Sequence, residues 1–274
     1  MSVAPEEFLA LLAPAVRQAA AIARALEGRV PNRPKSGERS DVKAALTVAD
    51  SAAQEAILVP LLERFPELAV RAEEDTPSVA EFAPDGPSVV VVDPIDGTLR
   101  SYLEARGPYA VMAGLVQEER YRAALVALPR EGLFFDAVDG GPARLARARG
   151  RPRPVCAEAS GKRVLVSYDV PAEVEARLRK RGFEVGYGCG GAIAVAPLIP
   201  GVRAGLRIGP SPVEGISIRG RIGALIARRA GARLECEGGR AFPEGVGEAA
   251  RVLLVAASDD DLATLREALG DLLE

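Results

Sequence analysis

Residues 89–92 are four consecutive valines, and they run directly into Asp93-Pro94-Ile95-Asp96-Gly97-Thr98. At the end of a buried strand, with Pro94 stiffening the turn, two carboxylates and an intervening carbonyl can converge on one point. Ligands that are all oxygen suit a hard cation such as Mg²⁺. Gly97 lets the backbone come close to a ligand, and the N–H groups of Gly97 and Thr98 would cradle a phosphate if a helix or turn starts there. The same residue types also make ordinary strand-to-turn junctions, so Asp-x-x-Asp by itself leaves both readings open.

Composition narrows the chemistry. The 274 residues include no histidine, which excludes Ser-His-Asp hydrolysis, HExxH zinc sites and triads of two histidines with a carboxylate. Acid, base and metal work must fall to oxygen and sulfur groups. Cys156, Cys189 and Cys236 form no CxxC pair and no even set for a disulfide framework, so a reducing cytoplasm is the expected setting. The segment from Cys236 to Arg240 lacks the spacing of a tyrosine-phosphatase loop and reads as a bland thiol. With 35 Lys+Arg against 38 Asp+Glu the net charge is −3, which argues against a nucleic-acid partner held by a broad basic face. The N-terminus has acids where a signal peptide would carry its basic start, and the longest uncharged stretch, residues 185–202, holds five glycines and two prolines. No export signal and no membrane span are expected.

Two acidic segments precede the core motif. Residues 43–50 read Lys-Ala-Ala-Leu-Thr-Val-Ala-Asp and end on Asp50 where a helical pattern starts, and residues 72–75 read Ala-Glu-Glu-Asp. Alone, Asp50 suits a helix N-cap and paired glutamates suit a solvated loop. In this order, however, the segments resemble the inositol monophosphatase family of magnesium-dependent, lithium-sensitive phosphomonoesterases. Residues 93–98 match its Asp-Pro-Ile-Asp-Gly-Thr signature letter for letter, Thr47-x-x-Asp50 resembles its early segment, and Ala72-Glu73-Glu74 resembles its Gly-Glu-Glu loop with alanine for glycine. Weaker similarity continues at residues 125–138 and 188–201.

The resemblance implies that Glu73, Asp93, the carbonyl of Ile95 and Asp96 bind Mg²⁺. It implies Glu73, Asp50 and Thr98 as the catalytic set, with Asp50 and Thr98 orienting the attacking water, and Asp96, Gly97 and Thr98 as contacts to the substrate. The implied reaction is hydrolysis of a small phosphorylated polyol, sugar or nucleotide by metal-activated water, which needs no histidine. A homodimer is implied because relatives form one.

The family's third signature, Trp-Asp-x-Ala-Ala-Gly ahead of a helix, keeps only its helical tail here, at residues 223–231. Counting back puts Ile218 at the tryptophan and Arg219 at the aspartate that binds a second metal and touches substrate; a one-residue gap would put Gly220 there. A guanidinium for a carboxylate moves the local charge by two units, repelling a second Mg²⁺ and attracting a phosphate. Arg219 thus either stands in for a cation and binds substrate, or points to solvent and leaves a one-metal or inactive site. The second case would make the chain a catalytically impaired homologue with a binding or regulatory role. Glu214 is matched to the glutamate with which relatives bind sugar hydroxyls, and a surface acid is the competing reading.

These side chains need a scaffold. Apolar residues at Phe8, Leu12, Val16, Ala19, Ile22 and Leu26 have helical spacing over residues 5–28, and a second helix is expected over 50–65 after a mobile loop at 30–43. Apolar runs at 68–72 and 88–92 predict strands that end in carboxylates, followed by an antiparallel meander at 109–117, 121–128 and 133–138. The Gly-, Pro- and Arg-rich residues 139–161 divide the chain into an α+β half, 1–145, carrying the metal-site motifs, and an α/β half, 146–274. Strands at 164–168, 183–187 and 251–256 alternate there with helices at 171–181, 218–230 and 259–273. The resemblance implies that both halves form the layered αβαβα sandwich of the sugar-phosphatase type.

Overall fold

In the computed structural model, which describes residues 3–38, 40–148, 150–209 and 215–270, the first amphipathic pattern forms α1 (Pro5–Leu26), with Pro5 in its first turn and Pro14 inside it. Its stripe of Phe8, Leu12, Val16, Ala19 and Ala23 is buried. With a mean hydropathy of 1.3 this helix is long and apolar enough to cross a membrane; here its stripe joins the core on one face of a β-sheet. A short α2 (Asp41–Ala44) begins inside the stretch 30–43 expected to be loop and ends one residue beyond it. Next, α3 (Val48–Arg64) packs beside α1.

Seven strands build the sheet in chain order: β1 (Ala69–Arg71), β2 (Ser88–Asp96), β3 (Ala110–Gln117), β4 (Arg120–Leu128), β5 (Leu133–Val138), β6 (Arg144–Arg147) and β7 (Arg153–Pro154). β1 is parallel to β2, and the later neighbours are antiparallel. Both faces are covered, so β2 and β3 read as unbroken apolar runs. Val90, Val92, Val111 and Leu115 join the core under α1 and α3, while Val91, Met112 and Val116 point the other way. β6 straddles the 145/146 division, and the sheet continues to Pro154.

The second sheet is mixed, with order β11-β12-β10-β8-β9. Its strands are β8 (Arg163–Val166), β9 (Glu184–Tyr187), β10 (Val202–Ile208), β11 (Arg233–Glu235) and β12 (Val252–Ala256). On its outer face lie α4 (Ala172–Lys180) and α7 (Asp259–Leu269), which bury Val174, Leu178, Leu262 and Leu265 against Val164, Val166 and Leu254. Between the sheets lie α5 (Gly190–Ala194) and α6 (Ile222–Arg229), whose Ile193, Ile222 and Ile226 share one core with Met112 and Val126 below and Leu253 and Val255 above. The result is the layered αβαβα sandwich. The helix expected over 218–230 opens with a 3₁₀ turn, Arg219–Arg221, ahead of α6.

Candidate active site

Alternation along β2 puts Asp93 on the face of Val91, toward the layer between the sheets. Pairing with β3 becomes irregular between Asp93 and Asp96, where Pro94 has no N–H to give. The chain then reverses at Gly97, whose φ of +89° and close approach leave no room for a side chain: a Cβ would lie 2.8 Å from Cys189 Cβ. The Gly97 carbonyl accepts from Ser101 N at 2.9 Å and Tyr102 N at 3.0 Å, opening a π-helical turn, Thr98–Leu103. Thr98 Oγ1 lies 2.9 Å from Asp50 Oδ1 and 2.8 Å from the Ile95 carbonyl, so one hydroxyl proton serves two acceptors.

Asp50 reaches this point from the start of α3. Thr47, rather than Asp50, is the N-cap: its Oγ1 accepts from Ala49 N at 3.1 Å. Asp50, at the third helical position, returns the bond, its Oδ2 accepting from Thr47 N at 2.8 Å and Thr47 Oγ1 at 2.7 Å. Burial raises the Asp50 pKa above the usual carboxylate range, against the lowering effect of the bonds from Thr47 and Thr98. Further along the same helix, Gln54 clamps the acidic loop. Its Oε1 accepts from Glu74 N at 3.0 Å, and its Nε2 donates to the Glu74 carbonyl at 2.6 Å and to Thr76 Oγ1 at 2.8 Å. Lys35 Nζ holds the Glu74 carboxylate at 2.9 and 3.0 Å. Burial raises Glu74 above its ordinary pKa, and Lys35 opposes that rise. With Glu74 tied down, Glu73 is the acid presented to Asp93.

Arg219 faces both acids, its Nη2 3.7 Å from Glu73 Oε1 and its Nε 3.6 Å from Asp93 Oδ2. These are ion-pair separations, too long for hydrogen bonds. Glu73 Oε2 and Asp93 Oδ1 are buried with no hydrogen-bond partner. Burial, then Glu73 and Asp96, push the Asp93 pKa well above its usual value although Arg219 pulls it down. Burial works against the charged form of Arg219, but Glu73, Asp93, Asp96 and Glu74 outweigh it and hold the guanidinium more firmly protonated. Asp96 Oδ2 accepts from Gly191 N at 2.6 Å at the start of α5.

Asp50, Glu73, Asp93, Ile95, Asp96, Gly97, Thr98 and Arg219 are thus drawn to one place, and it is Arg219 rather than Gly220 whose side chain meets the acids. Glu214 lies outside the described residues. Among the described residues no three His, Cys, Asp or Glu side chains form a ready-made metal cluster. The donor set still fits one hard cation, because Glu73 and Asp93 crowd their carboxyl groups against each other and two of their buried oxygens, Glu73 Oε2 and Asp93 Oδ1, have no donor from the rest of the protein, which is what such an ion would satisfy. The sequence reading missed Gln54, Lys35 and the amide of Gly191. Thr47 left a signal, a Thr-x-x-Asp approximation to a capping box; Gln54 and Lys35 left none, since their partner lies far along the chain.

Residues 6–183 match the inositol monophosphatase family, and the chain belongs to it. Members are phosphomonoesterases of small phosphorylated substrates, typically dependent on Mg²⁺. No curated protein matches the chain. The IMPase of Thermotoga maritima is similar in structure at 19% identity, with 93% of this chain and 95% of that one covered and a TM-score of 0.72. The extragenic suppressor protein SuhB of Bartonella henselae gives 16%, 96%, 98% and 0.74 for the same measures. SuhB of Mycobacterium tuberculosis gives 23% identity, full coverage of both chains (100%) and a TM-score of 0.66. At these identities the likeness is one of fold.

Proposed function

We propose that this chain is a Mg²⁺-dependent phosphomonoesterase of a small phosphorylated polyol, sugar or nucleotide. The observation that carries the reading is the pair of buried, donor-less oxygens on Glu73 and Asp93, set beside a fully bonded Asp50–Thr98 pair. Glu73, Asp93, the Ile95 carbonyl and Asp96 would hold Mg²⁺, which supplies charge neutralisation on the phosphoryl oxygens and leaving alkoxide and lowers the pKa of a bound water. Thr98 Oγ1, held by Asp50, orients the attacking water, and Asp50 Oδ1 receives its proton through that hydroxyl. The N–H groups at the Gly97 turn bind the phosphate. Arg219 takes the place of the aspartate in the family's third motif and offers the phosphate a fixed positive charge.

A second reading rests on the same arginine. By pairing with Glu73 and Asp93, Arg219 supplies charge that a cation would otherwise supply, as in an impaired homologue kept for binding or regulation. Phosphate release from a panel of phosphomonoesters, with and without Mg²⁺, separates the two. The enzyme reading expects metal-dependent release by the natural protein and its loss in Asp93→Asn. Release confined to Arg219→Asp would establish the impaired reading. A homodimer is proposed from the family, a reducing cytoplasm from Cys156, Cys189 and Cys236, all free thiols, and two halves, 1–145 and 146–274, divided where the composition changes and meeting at the site as the family resemblance implies.

A further inference from the structure

A second arginine borders the site and has no part in the proposed reaction. Arg207, near the end of β10, is half-buried. Its guanidinium occupies a notch that exists because two neighbours lack side chains: a Cβ on Gly190 would collide with Arg207 Nη1, and one on Gly220 would lie 2.5 Å from it. Each glycine adjoins a residue of the acidic cluster. Gly190 precedes Gly191, whose N–H binds Asp96, and Gly220 follows Arg219, which faces Glu73 and Asp93.

Within this notch little of the protein pairs with Arg207. Among the described residues its hydrogen bond is a long one, 3.4 Å from Nη1 to the Gly220 carbonyl, and no carboxylate pairs with it. Arg203 on the same strand, by contrast, bonds Asp261 at 2.5 Å. A guanidinium presents a planar fork of donors matched to carboxylate and phosphate, and among the described residues no Arg207 nitrogen is a buried atom without a partner, so the N–H groups that do not meet Gly220 open to solvent, where an anion can reach them. The reacting phosphate has the Gly97 turn and Arg219, so the anion for Arg207 is another one.

We infer that Arg207 binds a second anionic group, a carboxylate or a further phosphate, carried by the alcohol portion of the substrate. This rests on the phosphomonoesterase reading and names its substrate class: phosphomonoesters with two negative groups.

The test compares kcat/KM with Mg²⁺ within matched pairs, 2-phosphoglycerate against glycerol 2-phosphate for the carboxylate and fructose 1,6-bisphosphate against fructose 1-phosphate for the second phosphate. The natural protein should favour the doubly anionic member of at least one pair, and which pair identifies the anion. Arg207→Gln should lower that preference about tenfold or more, chiefly through KM, and Arg207→Lys should restore part of it. An equal loss on both members of each pair, or an unchanged preference, overturns the inference. If no phosphomonoester is turned over, the parent reading fails. Calorimetric titration of the same four compounds then decides the inference alone: it stands if Arg207→Gln erases a preference for the doubly anionic ligands, and falls if that preference is absent or unmoved.

Discussion

Asp50 and Asp93 are both buried acids in one site, yet their oxygens are provided for in opposite ways. Asp50 accepts from Thr47 N, Thr47 Oγ1 and Thr98 Oγ1, all within 2.9 Å. Asp93 Oδ1 has no donor, and Oδ2 has Arg219 at 3.6 Å. The first acid is held by the protein's own groups, so its geometry is fixed before any ligand arrives. The second is incomplete: it sits with Glu73 and Asp96, and one guanidinium offsets only part of their charge. Buried polar atoms left unpaired are costly and cluster where function needs them. The contrast separates a part of the site that is prebuilt from a part the protein's own groups leave unsatisfied, which is where the proposed function puts a cation.

The largest expected effect breaks the contrast at its incomplete side. Asp93→Asn should lower Mg²⁺-dependent kcat/KM about a thousandfold, since metal stabilisation of transition-state charge amounts to several kcal/mol. Steady-state phosphate release checks it. Next in size is Gln54→Leu. It strands the Glu74 N–H and carbonyl in a buried setting, which should cost roughly 2–3 kcal/mol in urea unfolding. It should also raise the Mg²⁺ concentration needed for half-maximal activity, because Glu73 loses its anchored neighbour. Thr47→Ala tests the prebuilt side. It removes the cap of α3 and one of the bonds to Asp50, for about 1–2 kcal/mol of stability, while leaving that Mg²⁺ requirement where it was.

The layers were legible in sequence wherever periodicity was long. α1 announced itself by six apolar positions, and β2 to β5 by runs that are apolar because both sheet faces are covered. β10 was not legible: Val202–Ile208 is interrupted by Arg203, Gly205 and Arg207, and becomes a strand only because β8 and β12 flank it. β6 and β7 hid in a stretch whose Arg, Gly and Pro content reads as linker. In the site, residues 93–98 could be read as a unit because the atoms that converge are close in sequence. Glu73 and Arg219 meet across more than half the chain, and the placement of Arg219 over the acids is a tertiary fact that counting along a motif could not supply.

The smallest expected effect sharpens the contrast most, because it reverses sign with the ligand. Without metal at neutral pH, Asp93→Asn should be more stable than the natural protein by about 0.5–1 kcal/mol, since the amide removes one charge from an acid-rich cluster and leaves Glu73 to pair with Arg219. Burial and the neighbouring acids raise the Asp93 pKa well above the usual carboxylate range in the folded state. A group of this kind favours folding while protonated; that contribution is complete below the unfolded pKa and is lost as pH rises through the folded one. The advantage of Asp93→Asn should therefore widen from roughly pH 4 to pH 7 and shrink in acid. Added Mg²⁺ should invert the order, stabilising the natural protein by mass action and the variant far less. Thermal unfolding across that pH range, in chelator and then in excess Mg²⁺, measures both. A metal-free natural protein more stable than Asp93→Asn at neutral pH would show that Arg219 already satisfies the pair, and that the incomplete half of the site is complete as folded.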